Sequence, residues 1–331
     1  MPQVTCVIPV YNGGRYIEAT LRSVAAQIRP PDRLIILDNC STDDTKTVVE
    51  RFAHLNPEWR QNERNVGLIG NANRALQFAE ETDYLHLLMA DDLIHPEFFR
   101  KTVAAMESTS GRSLCYTFHD IVDVQGNVIG PLTRSAPGTV RKLPSRSFVR
   151  RQSELNTVLL PGVLFKTNRQ PAPREFPDMP QVADAVFLGA WAAHSDWVFE
   201  IPEYLSQNRH HPYSATSAQI RSVRATALDE WRAISIVLEM LNDDALQRWV
   251  HLQKVKCVYA ARSRVKVQLM TKLDPAVAHE IERALREIVP LFHRLAGQTA
   301  VTLRDFIRKR KGQPSKAEEL FEIYSHAKAA G

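Results

Sequence analysis

Apolar positions in the first hundred residues alternate between two spacings. Residues 4–10, VTCVIPV, form a short β-rich run halted by Pro9 and then by YNGG, which predicts a buried strand. Over 15–27 the spacing becomes helical, with Ile17, Leu21, Val24 and Ala25 on one face. RLIILD predicts a second buried strand, and STDDTKTVVERFAHL starts with Ser/Thr/Asp capping chemistry and continues as a helix. A helix over 70–80, a strand at YLHLLM and a helix from about 96 to 107 continue the alternation. Strands alternating with helices predict right-handed βαβ units and a mostly parallel sheet. Ligands of such sheets sit outside the carboxyl ends of the strands. Val10, Tyr11 and Asn12 after the first strand, Asp38 at the end of the second, and Asp91 and Asp92 at the end of a later one are therefore expected along one sheet edge.

Residues 112–180 are less regular. SLCYTFHDIVDVQGNVIG predicts two strands around a turn at Gly126-Asn127. RSAPGTVRKLPSR reads as a loop, TVLLPGVLFKT as a strand containing a glycine, REFPDMPQVADAVFLGAWAAH as a loop leading into a helix, and WVFEIPEYLSQNRHH as a strand. After about residue 218 helical patterns take over, near 222–242, 244–271, 274–295, 300–311 and 315–328. The reading is an α/β domain over 1–218, with halves 1–110 and 111–218, and an α-helical appendage over 219–331.

Composition narrows the class only a little. The chain has 331 residues, 44% hydrophobic and 24% charged, which is ordinary for a globular protein. A formal net charge of +5 does not by itself indicate nucleic acid, and no nucleic-acid module is recognisable. Cys6, Cys40, Cys115 and Cys257 form no CxxC pair, so reduced thiols in a cytosolic protein are expected. The N-terminus has no basic segment followed by a long apolar run, so no signal peptide is expected. The best apolar run, AVFLGAWAAHSDWVFEI, is broken by His194, Ser195 and Asp196 and is no membrane span.

The chemistry concentrates in LHLLMADDLIHPEFF, residues 85–99. Adjacent carboxylates before a helix can be simple capping and turn chemistry. Here they end an apolar strand of a βα unit, where the sheet binds ligands. Two close carboxylates repel each other unless a cation sits beside them, and a divalent metal with oxygen ligands, bridging to a diphosphate, would serve.

VTCVIPVYNGGRYIEATLRSVAAQ, IILDNCSTDDT, NERNVGLIGNANRAL and LLMADDLIHPEFF together resemble the family 2 glycosyltransferases of the GT-A fold, in order and in spacing, over residues 3–106. PGVLFKT and NRHHPYSATS are weaker echoes that extend the likeness to about residue 217. The resemblance implies a nucleotide-sugar donor, a divalent metal (Mn2+ or Mg2+) and inversion at the anomeric carbon. It implies that Pro9, Val10 and Tyr11 lie along the nucleoside, that Asp38 accepts a hydrogen bond from the base, and that Arg64, Asn65 and Gly67 lie beside the nucleotide. Asp91 would face the ribose and Asp92 would ligate the metal. Met89 stands where the family often has an acid, so only the DD core remains. His211 matches the histidine of an Arg-x-His-x-x-Ser segment, as a third metal ligand or a phosphate contact, and Arg209 would meet the diphosphate.

A bound metal acts as a Lewis acid on the leaving diphosphate, and the acceptor hydroxyl needs a general base on the opposite face of the sugar. The resemblance points to Asp184 as that base, with Ala183 replacing the usual preceding acid and Asp178 as rival. A helix-cap role for Asp184 and a surface turn for His211 are the plainer alternatives. Trp191 and Trp197 are core residues or a sugar-stacking platform, and Asp43 and Asp44 suit caps of the helix after the second strand.

Residues 221–272 carry ten Lys/Arg against five Asp/Glu, and Trp249, Val255, Val258 and Tyr259 lie among them. That helix suits either an anionic membrane surface or a solvated face over a helical core. The expected donor is UDP- or dTDP-linked, although Asp38 would also serve guanine. The expected acceptor is a glycan or lipid-linked sugar in cell-surface polysaccharide synthesis, and the expected location is cytoplasmic or peripheral at the inner face of the membrane. A silent nucleotide-sugar-binding protein and a nucleotidyltransferase are the competing readings. For the second, PVYNGGRY lacks the longer Gly-rich phosphate loop.

Overall fold

The computed structural model describes residues 2–130, 138–155, 158–211 and 221–329, without the side chains of 323–329. In chain order the elements are β1 (Val4–Val10), α1 (Gly14–Ala25), β2 (Arg33–Asp38), α2 (Thr45–Glu50), β3 (Glu58–Gln61), α3 (Gly67–Ala75), β4 (Tyr84–Leu87), β5 (Leu93–Ile94), α4 (Phe98–Met106), β6 (Ser113–Val122) and β7 (Val128–Gly130). They continue as β8 (Arg141–Pro144), α5 (Ser145–Ser153), β9 (Val163–Lys166), α6 (Ala183–Ala193) and β10 (Trp197–Arg209). The helical remainder is α7 (Asp229–Glu239), α8 (Ala245–Leu273), α9 (Pro275–Ile288), α10 (Leu291–Arg310) and α11 (Lys316–Ala329). A π-helical turn, Arg224–Leu228, precedes α7.

Two compact units divide the chain. The first comprises Met1–Phe148, Thr157–Asp178 and Ala190–Arg209; the second comprises Val149–Asn156, Met179–Gly189 and His210–Gly331. The division is therefore discontinuous in sequence, and two segments from before residue 218 fold with the C-terminal helices. The expected boundary at 218/219 lies outside the described residues.

The first unit is built on one sheet of order β3-β2-β1-β4-β9-β6-β10-β5, with β7 added on β6 and β8 on β10. β3, β2, β1, β4, β6 and β10 run the same way, and β9 is inserted in the opposite sense between β4 and β6. The expected parallel sheet is thus present, interrupted by one antiparallel strand. β10 follows β6 over its whole length, with register shifts between Ile201 and Ser206, where Pro202 has no N–H to give the ladder. Below the sheet, Cys6, Ile8 and Val10 of β1 join Ile17, Leu21 and Val24 of α1 and Val48 and Val49 of α2 in one core. Each such aliphatic side chain contributes roughly 1.5–3 kcal/mol by leaving water.

In the second unit α8 is the central helix. Val255, Tyr259, Ala260, Ser263, Val265, Val267, Leu269 and Met270 are all buried. The helix expected over 244–271 is thus present, but Val255 and Tyr259 face inward and cannot rest on a membrane. Three of its basic residues are paired as well, Lys254 with Glu154, and Arg262 and Lys266 with Glu230. The helix expected over 274–295 ends at Ile288, because Pro290 starts α10 in its place, and α10 absorbs the segment expected at 300–311. β3, β5, β8 and α5 went unpredicted; all are short and lie in polar or mixed stretches. The four cysteines form no disulfide.

Candidate active site

β1, β2 and β4 end side by side, and three chain reversals meet at their carboxyl ends. Val10 pairs with Asp38, and the Leu88 N–H donates to the Val7 carbonyl (3.0 Å). Asn12 takes a left-handed backbone (φ 49°); its N–H donates to Ser41 Oγ (2.8 Å), and its Oδ1 accepts from the Thr42 N–H (2.8 Å). The Gly13 N–H donates to Thr45 Oγ1 (2.9 Å) and the Gly14 N–H to Asp43 Oδ2 (2.9 Å). A Cβ at Gly14 would lie 1.9 Å from Asp44 Oδ1, so a larger residue there would push the exposed Asp44 side chain aside. Pro9 and Val10 are buried and Tyr11 is exposed. Asp43 Oδ1 accepts the Thr45 N–H (3.1 Å) at the start of α2, whereas Asp44 makes no side-chain cap bond there.

Asp38 is buried and both its oxygens accept from the Ser41 N–H (3.1 and 3.2 Å). Beside it runs a network of asparagine amides. Asn39 Nδ2 donates to Asn65 Oδ1 (2.8 Å) and to the Gly67 carbonyl (3.2 Å). Asn39 Oδ1 accepts from Asn62 Nδ2 (2.9 Å) and the Val66 N–H (2.9 Å). Asn62 Nδ2 also donates to Asn71 Oδ1 (2.8 Å), and Asn71 Nδ2 to the Leu37 carbonyl (3.1 Å). Asn65 Oδ1 further accepts the Gly67 N–H (2.8 Å). The network fixes the segment carrying Arg64, Asn65 and Gly67 against the end of β2. Arg64 stays exposed, and Gly67 has φ +78°, a conformation that excludes most side chains although space around it is open.

Asp91 and Asp92 sit in the turn after β4 and before β5. Asp91 is half-buried and Asp92 is 2% exposed. Asp92 Oδ1 accepts from the Arg209 N–H (2.9 Å) and Asn208 Nδ2 (3.0 Å). Arg209, itself buried, donates Nε to the Asp91 carbonyl (3.0 Å) and Nη1 to the carbonyls of Asp123 (3.0 Å) and Val124 (3.2 Å). Its guanidinium lies over the Tyr16 ring at 5.7 Å. Arg209 thus braces the turn from behind, with Nε and Nη1 already engaged. Burial, then the neighbouring Asp91, push the Asp92 carboxyl well above the ordinary carboxylate range, and the Asn208 and Arg209 donors only partly oppose this. A cation beside the pair would reverse that push. The hard oxygen donors fit Mg2+ or Mn2+, which take one or two carboxylates and complete their shells with phosphate and water. Among the described residues no three His, Cys, Asp or Glu side chains are grouped to hold a metal ion.

His211 and Asp184 belong to the second unit. His210 and His211 are buried, and burial with the adjacent His211 lowers the His210 imidazole to about 4. Pro212 and the rest of the PYSATS segment lie outside the described residues. Asp184 stands in the first turn of α6 and keeps part of its surface open. Loss of water around its carboxyl pushes it up to about 7. Asp178 is exposed on the preceding loop. Trp191 is fully buried, donates Nε1 to the Ser113 carbonyl (3.1 Å) and packs on Phe165 at 4.6 Å, so it is a core residue and no sugar platform. Trp197 is partly exposed, with Lys142 Nζ over its ring at 4.3 Å.

Sequence reasoning found the carboxylates but not the residues that hold them. The unusual density of asparagines in NERNVGLIGNAN was the one available signal for the amide network. Nothing in the sequence marked Asn208.

Comparison with known proteins completes the description. Residues 5–159 match the family described as glycosyl transferase family 2. The O-antigen chain rhamnosyltransferase WbaN of Salmonella anatum is 36% identical over 93 residues, 28% of this chain and 29% of that protein. The poly(ribitol-phosphate) beta-N-acetylglucosaminyltransferase TarS of Staphylococcus aureus is 29% identical over 110 residues, 32% of this chain and 19% of that protein. The matched stretches thus span less than half the length of these curated relatives. Among solved structures, S. aureus TarS 1–349 in complex with UDP-GlcNAc superimposes with a TM-score of 0.54 at 18% identity, covering 94% of this chain and 92% of that one. The mannosyltransferase PcManGT of Pyrobaculum calidifontis, in complex with GDP-Man and Mn2+, does so with a TM-score of 0.56 at 16% identity, covering 99% and 86%. At such identities the likeness establishes the GT-A fold.

Proposed function

We propose that this chain, whose residues 5–159 form a glycosyl transferase family 2 domain, transfers a sugar from a nucleoside-diphosphate donor to a hydroxyl with inversion. The observation that carries this reading is the carboxylate pair at the end of β4, on the sheet edge where Asp38 ends β2, with Asp92 buried and its charge only partly offset by Asn208 and Arg209.

In this reading Pro9, Val10 and Tyr11 lie along the nucleoside, and Asp38 accepts from the base while Ser41 holds its carboxylate. Arg64, Asn65 and Gly67 border the nucleotide on a segment made rigid by the Asn39 and Asn62 amides. Asp91 orients the ribose. Asp92 would hold a divalent metal together with the diphosphate. A metal so placed supplies Lewis-acid stabilisation of the charge that develops on the leaving diphosphate. Arg209 keeps the turn in the shape that presents both carboxylates. Asp184, with a carboxyl titrating near neutrality, takes the proton of the acceptor hydroxyl, a task for which a base poised near the working pH is suited. His211 is assigned as a further ligand of that metal or as a contact to a diphosphate oxygen.

Uridine or thymidine donors are favoured by the Asp38 carboxylate; the structural neighbours hold UDP-GlcNAc in one case and GDP-Man in the other. An acceptor that is a glycan or a lipid-linked sugar, in polysaccharide synthesis, is supported by the relatives TarS and WbaN. We assign 1–218 to the transferase domain and 219–331 to a helical appendage. No helix among the described residues is long and apolar enough to cross a membrane.

The test is release of nucleoside diphosphate from a panel of nucleotide sugars. Turnover should vanish with EDTA and return with Mn2+ or Mg2+. Asp92→Ala should abolish turnover and metal-dependent nucleotide binding, while Asp91→Ala should weaken donor binding more than it affects the metal. Near-normal turnover by the Asp92 variant would sink the assignment. Donor binding with no turnover under any condition would make the protein a silent nucleotide-sugar binder, a reading to which Met89 and Ala183 lend weight.

A further inference from the structure

α10 (Leu291–Arg310) packs beside α8 through a narrow face. Its buried residues are His293, Gly297 and Val301, four apart in sequence. His293 Nε2 meets Gln253 Oε1 at 2.9 Å, Gly297 abuts Ala260 and Ala261, and Val301 shares a cluster with Val265. The partner numbers rise together, so the two helices run parallel, with α8 starting about a turn and a half before α10.

The opposite face of α10 is apolar and exposed. Phe292 is 75% exposed, Leu295 55%, Leu303 58% and Phe306 55%. At 100° per residue, Phe292, Leu295, Leu303 and Phe306 fall within one stripe about half a turn from 297 and 301, with Thr299 between Leu295 and Leu303. From Phe292 to Phe306 that stripe is about 21 Å long. Where the two helices start, Leu246, Trp249 and Val250 of α8 are exposed on the turns before Gln253, and Leu291 and Phe292 of α10 are exposed beside its partner His293. Scattered exposed apolar residues need no explanation, but a continuous stripe of this length does.

Charge identifies what covers it. Between Leu291 and Arg310 the only acid is Asp305, and Arg304 holds it (3.0 Å). The C-terminal end of the stripe carries exposed Lys309, Arg310 and Lys311, with the Arg310 guanidinium over the Phe306 ring at 5.1 Å. Exposed Arg248 stands next to Trp249 at the other end. A second copy of this face would bring the same basic ends and no matching carboxylates from the helix. An anionic, apolar-backed surface complements both features.

We infer that α10, with the exposed turn of α8 at its start, is an interfacial helix that seats the protein on an anionic lipid surface. Phe292, Leu295, Leu303 and Phe306 enter the acyl boundary, and Lys309, Arg310, Lys311 and Arg248 meet lipid phosphates. Docking through this face is independent of the transfer chemistry. An acceptor carried on lipid would be gathered into the same plane.

The test uses the full-length chain and sedimentation with two kinds of vesicle, phosphatidylcholine alone and phosphatidylcholine mixed with phosphatidylglycerol. The wild type should sediment with the mixed vesicles at low ionic strength and leave them at high. Two double variants discriminate the terms: Phe292→Ser with Phe306→Ser, and Lys309→Glu with Lys311→Glu. All four side chains are solvent-facing, so circular dichroism melting should stay near wild type. Each double variant should lower partitioning by about tenfold or more, on the scale of about 1 kcal/mol for each basic residue near the surface. Equal binding to both vesicles, binding to neither, or wild-type partitioning by the charge variant would overturn the inference. So would a dimer, in sedimentation equilibrium, that the Phe292→Ser and Phe306→Ser pair dissolves, because that outcome assigns the face to a second copy.

Discussion

At the scale of residues, Asp184 makes the most discriminating prediction. Its folded-state carboxyl titrates at about 7, against an ordinary value near 3.8. As a base it must be ionised, so kcat/KM should rise through pH 7 and level off above it. Asp184→Asn should remove that limb and cut transfer by roughly two or more orders of magnitude, the scale of a lost general base. Donor affinity should survive, because the main donor contacts, Asp38, Asp91 and Asp92, lie in the first unit. Asp178→Asn should be mild; if the two variants behave the other way round, Asp178 is the base. The same shift has a sign for stability. The folded state holds the Asp184 proton more tightly than the unfolded state between pH 4 and 7, so stability is greatest below the unfolded value and falls as pH rises through about 7. Thermal melts across that range should show the decline in wild type and a flatter profile in Asp184→Asn. The sequence made these carboxylates legible because strand ends and helix starts are periodic features. It did not reveal that Arg209 braces the Asp91–Asp92 turn, since an arginine reads alike whether it meets a diphosphate or a backbone carbonyl. Only its depth and its partners tell the two apart.

At the scale of elements, the asparagine network and the α8–α10 seam give opposite lessons about small changes. Asn39→Ala removes four hydrogen bonds at once and leaves the Asn62 amide and the Val66 N–H without their acceptor. Stranded buried donors cost about 1–3 kcal/mol each, so the melting temperature should fall and the Arg64–Gly67 segment should loosen its hold on nucleotide. A variant that melts like wild type would show that the network is incidental. Gly297→Ala sets two effects against each other. Alanine gains about 1 kcal/mol of helix propensity. Its Cβ would, however, lie 2.7 Å from the Ala261 backbone nitrogen and 2.8 Å from Ala260 Cβ. Backbone atoms cannot swing aside, and overpacking of this kind costs typically 1–3 kcal/mol, so net destabilisation is expected, checked by chemical denaturation. Long periodic elements such as α8 were legible from spacing. The break between α9 and α10 was not placed, although Pro290 was its signal, because the apolar spacing runs on across it. β3, β5, β8 and α5 are too short to show a period.

At the scale of the whole molecule, a net charge of +5 says little until it is mapped. Three basic residues of α8 that suggested a membrane face are paired with Glu154 or Glu230, while the exposed apolar stripe lies on α10, two helices further on. Composition located the region and tertiary packing selected the helix. The α/β alternation was legible to residue 107, but the sheet's far half was not, because β6, β9 and β10 join it out of chain order. That order bears on how the protein is made. Asp91 and Asp92 leave the ribosome more than a hundred residues ahead of Asn208 and Arg209, the donors that settle them. For that stretch of synthesis the nascent chain carries two repelling charges with no brace. The catalytic edge therefore comes into being only when the last strand of the sheet arrives, so a chain cut short before β10 is born without a competent site however well its first hundred residues fold.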